Sequence, residues 1–531
     1  MDQHDYIVVG AGSAGAALAT RLSENPRNKV LLIEAGKKSH PYSRFPISFG
    51  LLINDPAANW LYESEPEPNT NNRAIPVPRG KVLGGSSAIN GLVWVRGQPL
   101  DYVTWAQMGA RGWSWRDVAP VFDRIEDFEG TGLTSRGKGG PLHVQIVPDQ
   151  NPLYDALFQA AIQAGFKINH DYNSEDQEGI GKTQASIKAG RRMSVARTYL
   201  QPAMRRSNLT IVTEAQTKRV LLEGRRCVGI VYEHRGQDVT ARAGREVILS
   251  AGAVASPQLL ELSGIGRPEV LKQFGIEVRH ALPAVGENFR DHIGMRAVWK
   301  VKDPALSYNS RVRGLAAAKE AWKLLTRGAG FFSLPSAPVV AFLKTRPELA
   351  TPDIQLHLLP IAVRNLQKRE LFDFPAMTIS CYQLRPESLG SIHIRSANPH
   401  VPPAIKFNFL ADRIDQQCMA DGFKIARRIG EQSALDPYRG EEVVPGAGVQ
   451  TEAEILDFIR QNSQTAYHPI GTCRMGPAGP STVVDEKLRV HGIEGLRIAD
   501  ASIFPTMPSG NTNAPSIMVG ERAADLIKEA A

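Results

Sequence analysis

Asp5-Tyr6-Ile7-Val8-Val9-Gly10-Ala11-Gly12-Ser13-Ala14-Gly15, answered by Leu31-Leu32-Ile33-Glu34-Ala35-Gly36, constrains this chain more than any other stretch. Tyr6 to Val9 is an apolar run of β-forming residues, the pattern of a strand buried on both faces of a parallel sheet. Gly10, Gly12 and Gly15 give the GxGxxG spacing at the turn into a helix. The first permits the tight turn, the second lets a pyrophosphate approach the backbone, and the third lets the helix pack closely on the strand. Ser13 and Ala14 open that helix, whose unpaired N–H groups and positive dipole end suit phosphates. Val30 to Ile33 reads as a second strand. Glu34 at its end, 19 residues past Gly15, can accept hydrogen bonds from both ribose hydroxyls and repels a 2′-phosphate. The pattern predicts an adenine dinucleotide other than NADP, and it fits FAD and NAD alike.

With 531 residues the chain has length for a large core and for two to four domains. Its net charge of +8 raises nucleic acid as a partner, but the basic residues are scattered, with pairs such as Arg191-Arg192 and Arg427-Arg428 as the longest clusters. No zinc-finger or RNA-binding motif accompanies them, so a solvated basic surface is expected and nucleic acid is not. Such a surface also suits peripheral contact with an anionic membrane. Cys227, Cys381, Cys418 and Cys473 lie far apart with no CxxC pair, which argues against a zinc site or a disulfide framework and for a reducing compartment. No other cluster has metal-ligand spacing, so no metal is expected. The first strand leaves no room for a signal peptide and no apolar run reaches 18 residues. The expected location is cytoplasmic, with peripheral membrane attachment as the variant.

A second glycine-rich block follows at Arg79-Gly80-Lys81-Val82-Leu83-Gly84-Gly85-Ser86-Ser87-Ala88-Ile89-Asn90-Gly91. Strand patterns appear at Leu209 to Val212, Val220 to Tyr232 and Arg245 to Leu249, the last leading through Ser250-Ala251-Gly252 into a helix. From about 300 to 460 the character changes to strands such as Ile354 to Leu359, without glycine fingerprints. Leu496 to Asp500 reads as another buried strand, and a final helix is expected from about Ser516 to Glu529. Nucleotide-type segments thus lie at the beginning, middle and end, which predicts a discontinuous cofactor domain with a second domain closing over it.

On these blocks the chain resembles the glucose–methanol–choline oxidoreductases, flavoenzymes that oxidise alcohols. The likeness spans essentially the whole chain. It rests on the N-terminal motif, on Arg79 to Asn90, on Gly252 to Gly266 and on Tyr467-His468-Pro469 with Gly471 to Gly476. Asp500 followed by Asn511-Thr512-Asn513-Ala514-Pro515 completes it, and Val285 to His292 also looks like a family segment. The resemblance implies an α/β fold (α+β overall). It implies a Rossmann-type FAD-binding domain over 1–155, 210–300 and 465–531, and an inserted substrate domain on an antiparallel sheet over 156–209 and 301–464. It further implies that FAD is largely buried, with Gly84, Gly85, Ser86 and the backbone of Asn90, Gly91, Leu92 and Val93 along it. Arg79, Val220 (toward the adenine), Ala251, Gly252, Tyr467, Asp500, Ala501, Thr512 and Asn513 are also expected as cofactor contacts. Choline-type relatives tether FAD through a histidine in the second block. The corresponding position here is Ile89, so the FAD is expected to be held without a covalent bond.

Oxidising an alcohol requires loss of the hydroxyl proton and of the α-hydride, and histidine is the natural base for the proton. The resemblance places His468 in that role. The partner position, 43 residues later, is Asn511, which cannot take a proton and should hydrogen-bond the substrate oxygen. Asn513 competes for that role if the segment is extended. The motif register favours Asn511 for substrate and Asn513 for flavin. Cys473 reads as packing, and His292 and the other histidines read as structural.

The expected activity is FAD-dependent oxidation of a primary alcohol or a sugar such as L-sorbose, with hydride transfer to flavin N5 and electrons passed to a quinone-like acceptor. The small Ala466 leans the reading to a dehydrogenase rather than an oxygen-using alcohol or choline oxidase. Non-choline substrates rank first because no cation-binding carboxylate and aromatic cage can be placed. A flavin-containing lyase is the rival from another class, and a substrate-less electron carrier is a second. An NAD-linked dehydrogenase would leave the two later glycine blocks unexplained.

Overall fold

A computed structural model describes residues 3–130, 136–365 and 368–530. The apolar run at the start forms the strand Gln3–Val9, with Tyr6 to Val9 buried. It lies between the parallel strands Val30–Ile33 and Gln237–Leu249. Leu209–Val212 extends the sheet beyond Val30–Ile33, and Leu496–Ile498 joins beside Gln237–Leu249, both in parallel. The stretch from Val220 to Tyr232 is not one strand. Ala215–Glu223 and Arg226–His234 fold back on each other as an antiparallel hairpin, which pairs with the first half of Gln237–Leu249. Five parallel strands drawn from residues 3 to 498 therefore make one layer, and its central strands are buried on both faces along their apolar stretches.

Helix Ser13–Leu22 covers this sheet, and the terminal helix Asn513–Ala530 lies on that helix in turn. The contact is close: a Cβ built at Gly520 would stand 2.2 Å from the carbonyl oxygen of Ala14. Fully buried Glu521 fixes the terminal helix by accepting from Arg21 (2.9 Å), Tyr199 (2.8 Å) and Arg124 (3.1 Å).

A second, wholly antiparallel sheet runs in the order Arg439–Val444, Ile293–Val301, Ala376–Gln383, Ile354–Leu359, Val339–Leu343, Gly179–Lys182. Gln464–Thr465 pairs with the start of Ile293–Val301 on the same side as Arg439–Val444. Ile293–Val301 therefore belongs to the second sheet, and the boundary expected at 300 falls before Ile293. Alternation explains the two faces of this sheet. Met295, Ala297, Trp299, Leu356, Leu358, Ile379 and Cys381 join the core with helix Arg413–Gly430. Between them, Arg296, His357, Leu359, Thr378, Ser380 and Tyr382 face a cavity. Among the described residues no helix is long and apolar enough to cross a membrane, and no His/Cys/Asp/Glu group could hold a metal.

Candidate active site

One cavity of about 1120 Å³ runs between the two sheets, at the upper end of the roughly 300–1,000 Å³ usual for ligand sites. Its first wall is backbone. Gly10, Gly12, Ser13 and Ala14 line it, with Gly85, Ser86 and Asn90 to Val93 from the second block. The two blocks touch: Gly84 donates its N–H to the Ala11 carbonyl at 2.9 Å. Gly85 has φ +52°, and a Cβ there would lie 2.7 Å from the Gly12 Cα, so only glycine fits. Gly15 and Gly84 stand behind this wall rather than in it. A Cβ at Gly15 would meet the Gly10 carbonyl oxygen at 2.0 Å, so Gly15 sets the helix-to-strand approach.

Glu34 closes one end of the wall. Its carboxylate accepts from the N–H of Ala11 (3.1 Å) and of Gly36 (2.8 Å), and burial pushes its pKa up to about 7 against those donors and Lys81. Ala35, Ala251, Gly252, Ala501 and Thr512 complete the lining. Asp500 is held by the N–H groups of Gly252 and Ser502, each at 2.8 Å, and by Ser256 Oγ at 2.6 Å. These residues fit a bound FAD. A Cβ built at Gly12 meets nothing within 4 Å, so that backbone opens onto the cavity, and the buried carboxylate of Glu34 lies where a ribose would need an acceptor. Val220 does not belong here. Its N–H is taken by Ser263 Oγ at 2.9 Å and its side chain is core, whereas Ala215, Gln216 and Thr217 line the cavity. The cavity end of the strand lies three residues earlier than expected. Ile89 lines the cavity as an aliphatic side chain with no group to bond a flavin.

The second wall is made of side chains, with His468 at its centre. Tyr467 sits in the left-handed region at φ +69°, held by its own N–H to Thr465 Oγ1 (2.7 Å) and by Arg79 Nη2 on its carbonyl (2.6 Å). That strained turn, which costs about 1–3 kcal/mol for a non-glycine residue, directs His468 into the cavity. Asp291 anchors the turn, accepting from the His468 N–H at 2.8 Å and from Thr465 Oγ1 at 2.5 Å. Burial raises the Asp291 pKa to about 7 despite these donors and Arg79. Burial of Arg79 in turn lowers its pKa to about 10.

Both ring nitrogens of His468 are engaged. Nδ1 lies 2.9 Å from His292 Nδ1, and Nε2 lies 3.0 Å from Asn511 Nδ2. The partners assign the protons. His292 Nε2 faces the Leu384 carbonyl at 2.9 Å and must donate to it, which leaves His292 Nδ1 as a lone pair. His468 Nδ1–H then donates to that lone pair, and Nε2 presents its own lone pair to the cavity. Burial holds His292 near pKa 4 against the carbonyls of Leu384 and Pro508. Burial, with His292, Arg79 and His357, holds His468 well below the ordinary histidine value.

Asn511 is oriented from its other side. Gln355 Nε2 donates to Asn511 Oδ1 (3.2 Å) and to His357 Nε2 (3.0 Å), so the Asn511 NH₂ must face His468. Asn513 is elsewhere: its Oδ1 accepts from Ser13 Oγ at 2.8 Å. Residue 513 begins the terminal helix, so the segment is not extended and the two amides diverge. His292, Asp291, Gln355 and His357 were missed. His292 and Asp291 lie in a block the motifs did flag, but nothing in Ile354 to Leu359 distinguishes Gln355 or His357 from ordinary strand residues. Cys473 is fully buried, and burial raises its thiol pKa, as packing requires.

Sequence models described as GMC oxidoreductase match residues 4–294 and 386–520. The chain is 42% identical over 526 residues to a protein named oxygen-dependent choline dehydrogenase from Brucella suis biovar 1, covering 98% of this chain and 95% of that one. It is 43% identical over 530 residues to the protein of the same name from Rhizobium etli, covering 99% and 95%. Among solved structures, pyridoxine 4-oxidase from Mesorbium loti superposes with a TM-score of 0.90 at 30% identity, covering 99% of each chain. Formate oxidase superposes with a TM-score of 0.92 at 26% identity, covering 100% of this chain and 98% of that one.

Proposed function

Because this chain belongs to the GMC oxidoreductase family and is an FAD-dependent enzyme acting on CH–OH donors, we propose that it oxidises a small primary alcohol or sugar with His468 as base. When bound, FAD supplies the acceptor for the hydride that leaves the alcohol carbon. The FAD would be held, without a covalent bond, by Gly10 to Ala14, Glu34, Gly85 to Val93, Asp500 and Asn513.

The observation that carries this reading is the proton chain from the Leu384 carbonyl through His292 to His468. It leaves His468 Nε2 unprotonated and facing the cavity before any substrate arrives. The substrate hydroxyl gives its proton to that nitrogen. Asn511, held by Gln355, donates to the substrate oxygen and fixes the carbon that loses hydride. As His468 gains positive charge, the lone pair of His292 Nδ1 keeps its hydrogen bond. The test is anaerobic mixing of the FAD-loaded enzyme with a panel of primary alcohols and sugars. Flavin absorbance should bleach, and turnover should follow with an artificial acceptor. Cleavage of a cyanohydrin without bleaching would favour the lyase instead.

We infer that the electron acceptor is of quinone type and is met at a membrane surface, and one helix supports this. Gly314–Arg327 exposes Leu315 (91%), Trp322 (68%) and Leu325 (64%), while Leu324 and Leu325 reach the cavity mouth. Lys319 and Arg327 flank that face, and the helix's acid, Glu320, is buried. A basic, Trp-bearing apolar face suits the interface of an anionic bilayer. Sedimentation with phosphatidylglycerol vesicles, but not with phosphatidylcholine vesicles, is expected for the native chain and not for Leu315→Glu/Trp322→Glu. Equal behaviour of the two proteins, or acceleration by oxygen alone, would discard this contact.

A further inference from the structure

The antiparallel sheet brings a pair of unneutralised guanidinium groups to the proposed alcohol site. Arg296 stands opposite Ser380, and Ser380 opposite His357, so the three occupy one rung across three strands. With strands about 4.8 Å apart, Arg296 lies about 10 Å across the sheet from His357. His357 in turn shares Gln355 with Asn511. Gly294 opposite Tyr382 forms the neighbouring rung, and a Cβ at Gly294 would stand 2.4 Å from the Tyr382 ring, so the ring lies over the glycine. Arg369 approaches from the Tyr467 side, with Nη2 3.4 Å from Tyr467 Oη. Its Nε is buried and has no partner among the described residues. Arg296, Arg369, Ser380, Tyr382 and His357 all line the same cavity.

Charge makes the arrangement unusual within this molecule. Other buried arginines are either matched by a carboxylate, as Arg96 and Arg136 by Glu126, Arg427 by Glu442 and Arg497 by Glu246, or, like Arg192, held by several backbone carbonyls. Among the described residues, neither Arg296 nor Arg369 has a carboxylate within ion-pair distance. Arg296 reaches only the Arg364 carbonyl, at 3.5 Å. Burial, with the charge of Arg369 beside it, brings Arg296 down to about 10. The carboxylates that do line the cavity, Glu34 and Asp500, are spent on backbone N–H groups of the first wall. Two like charges facing a shared cavity are costly unless a ligand neutralises them, and forked guanidinium donors match a carboxylate.

The geometry points to a carboxylate-binding subsite formed by Arg296 and Arg369, with the hydroxyls of Ser380 and Tyr382 beside it, so that the substrate is a hydroxy acid whose anionic end lies away from His468. This rests on the alcohol-oxidising reading and narrows its substrate class. A quaternary ammonium alcohol would meet two cations here.

The test separates binding from turnover. The oxidised, FAD-loaded enzyme is titrated with 4-methylbenzoate and with (4-methylbenzyl)trimethylammonium, read by the flavin difference spectrum. The anion should bind about 10- to 100-fold more tightly, the scale of losing a charged hydrogen bond, and more weakly as salt is added. Arg296→Met and Arg369→Met should each erase most of that preference at unchanged FAD content. In turnover, 4-(hydroxymethyl)benzoate should exceed benzyl alcohol in kcat/KM through KM, and the ratio should fall in either variant. Equal or tighter binding of the cation, no binding of the anion, or a ratio indifferent to both variants would overturn the subsite. Binding of the anion without flavin reduction by any alcohol would instead sink the alcohol-oxidising reading and leave the subsite standing.

Discussion

Along the first wall of the cavity, Gly10, Gly12 and Gly85 present backbone, and whatever binds there meets N–H groups and carbonyls fixed by the turns themselves. Along the second wall, alternate residues of three strands present side chains: Arg296, His357 and Leu359, Thr378, Ser380 and Tyr382. The difference teaches where function can drift. A backbone wall tolerates little substitution, because a Cβ at Gly10 or Gly85 would collide with main chain and one at Gly12 would occupy the cavity itself. On the sheet face most strand-compatible residues leave the core behind intact, since Ala297, Ile379 and Leu356 point the other way. The cofactor is thus tied to the fold, and the substrate is left to residues that can change singly.

That contrast predicts separable phenotypes. The largest effect should come from His468→Ala, which should slow flavin reduction by about 10²–10⁴-fold while the FAD-to-protein ratio stays at the native value. Stopped-flow under nitrogen measures the first and the absorbance ratio the second. Loss of FAD in this variant would show that the two walls are not independent. The mirror experiment is Gly85→Ala, which should yield protein depleted of FAD.

Next in size is the asparagine pair. Asn511→Ala should cost about 1–3 kcal/mol, the price of an unmade buried hydrogen bond, or roughly 5- to 150-fold in hydride transfer, with an unaltered flavin spectrum. Asn513→Ala should instead weaken FAD retention, since its amide faces Ser13. An exchange of the two phenotypes would mean that the roles assigned to positions 511 and 513 are reversed.

A smaller effect is expected from pH. The competent form of His468 is neutral, and its pKa is held below 6.5 by burial and by His292. On this group kcat/KM should therefore be level from pH 6.5 upward and fall only on the acid side, at a midpoint below 6.5. A limb centred above 6.5 would contradict a buried, His292-supported base. His292→Phe removes the Nδ1 acceptor and should lower the rate and change that limb, whereas a purely structural histidine would leave its midpoint in place. The smallest test concerns Ile89. Acid precipitation should release all of the FAD into the supernatant, and flavin left on the polypeptide would reveal an unforeseen tether.

The legible parts of the molecule share one property. The strand–turn–helix from Gln3 to Leu22, the acid at Glu34, the second glycine block and the Tyr467-His468-Pro469 frame are each written within a few neighbouring residues, because each is a local backbone shape with a steric demand. Their meeting in one cavity followed from their order in the chain, and the structure brings His468 and Asn511 to 3.0 Å across 43 residues. Val220 was misread because the cavity end of its strand is set by the hairpin register with Arg226–His234, which composition does not encode.

The sequence by itself determined the dinucleotide fold, since glycine spacing and buried apolar runs act through short-range sterics, while its resemblance to known flavoenzymes pointed to the family and to His468 with Asn511. Only the tertiary structure decided that His292 sets the tautomer of His468, that Gln355 turns the Asn511 amide, and that Arg296 and Arg369 face the cavity without a counter-charge among the described residues. The reason is physical. Those contacts join residues as far apart as 292 and 468 or 355 and 511. Which of them meet depends on strand register and on the face each side chain takes, and both are settled only when the sheet closes on its core.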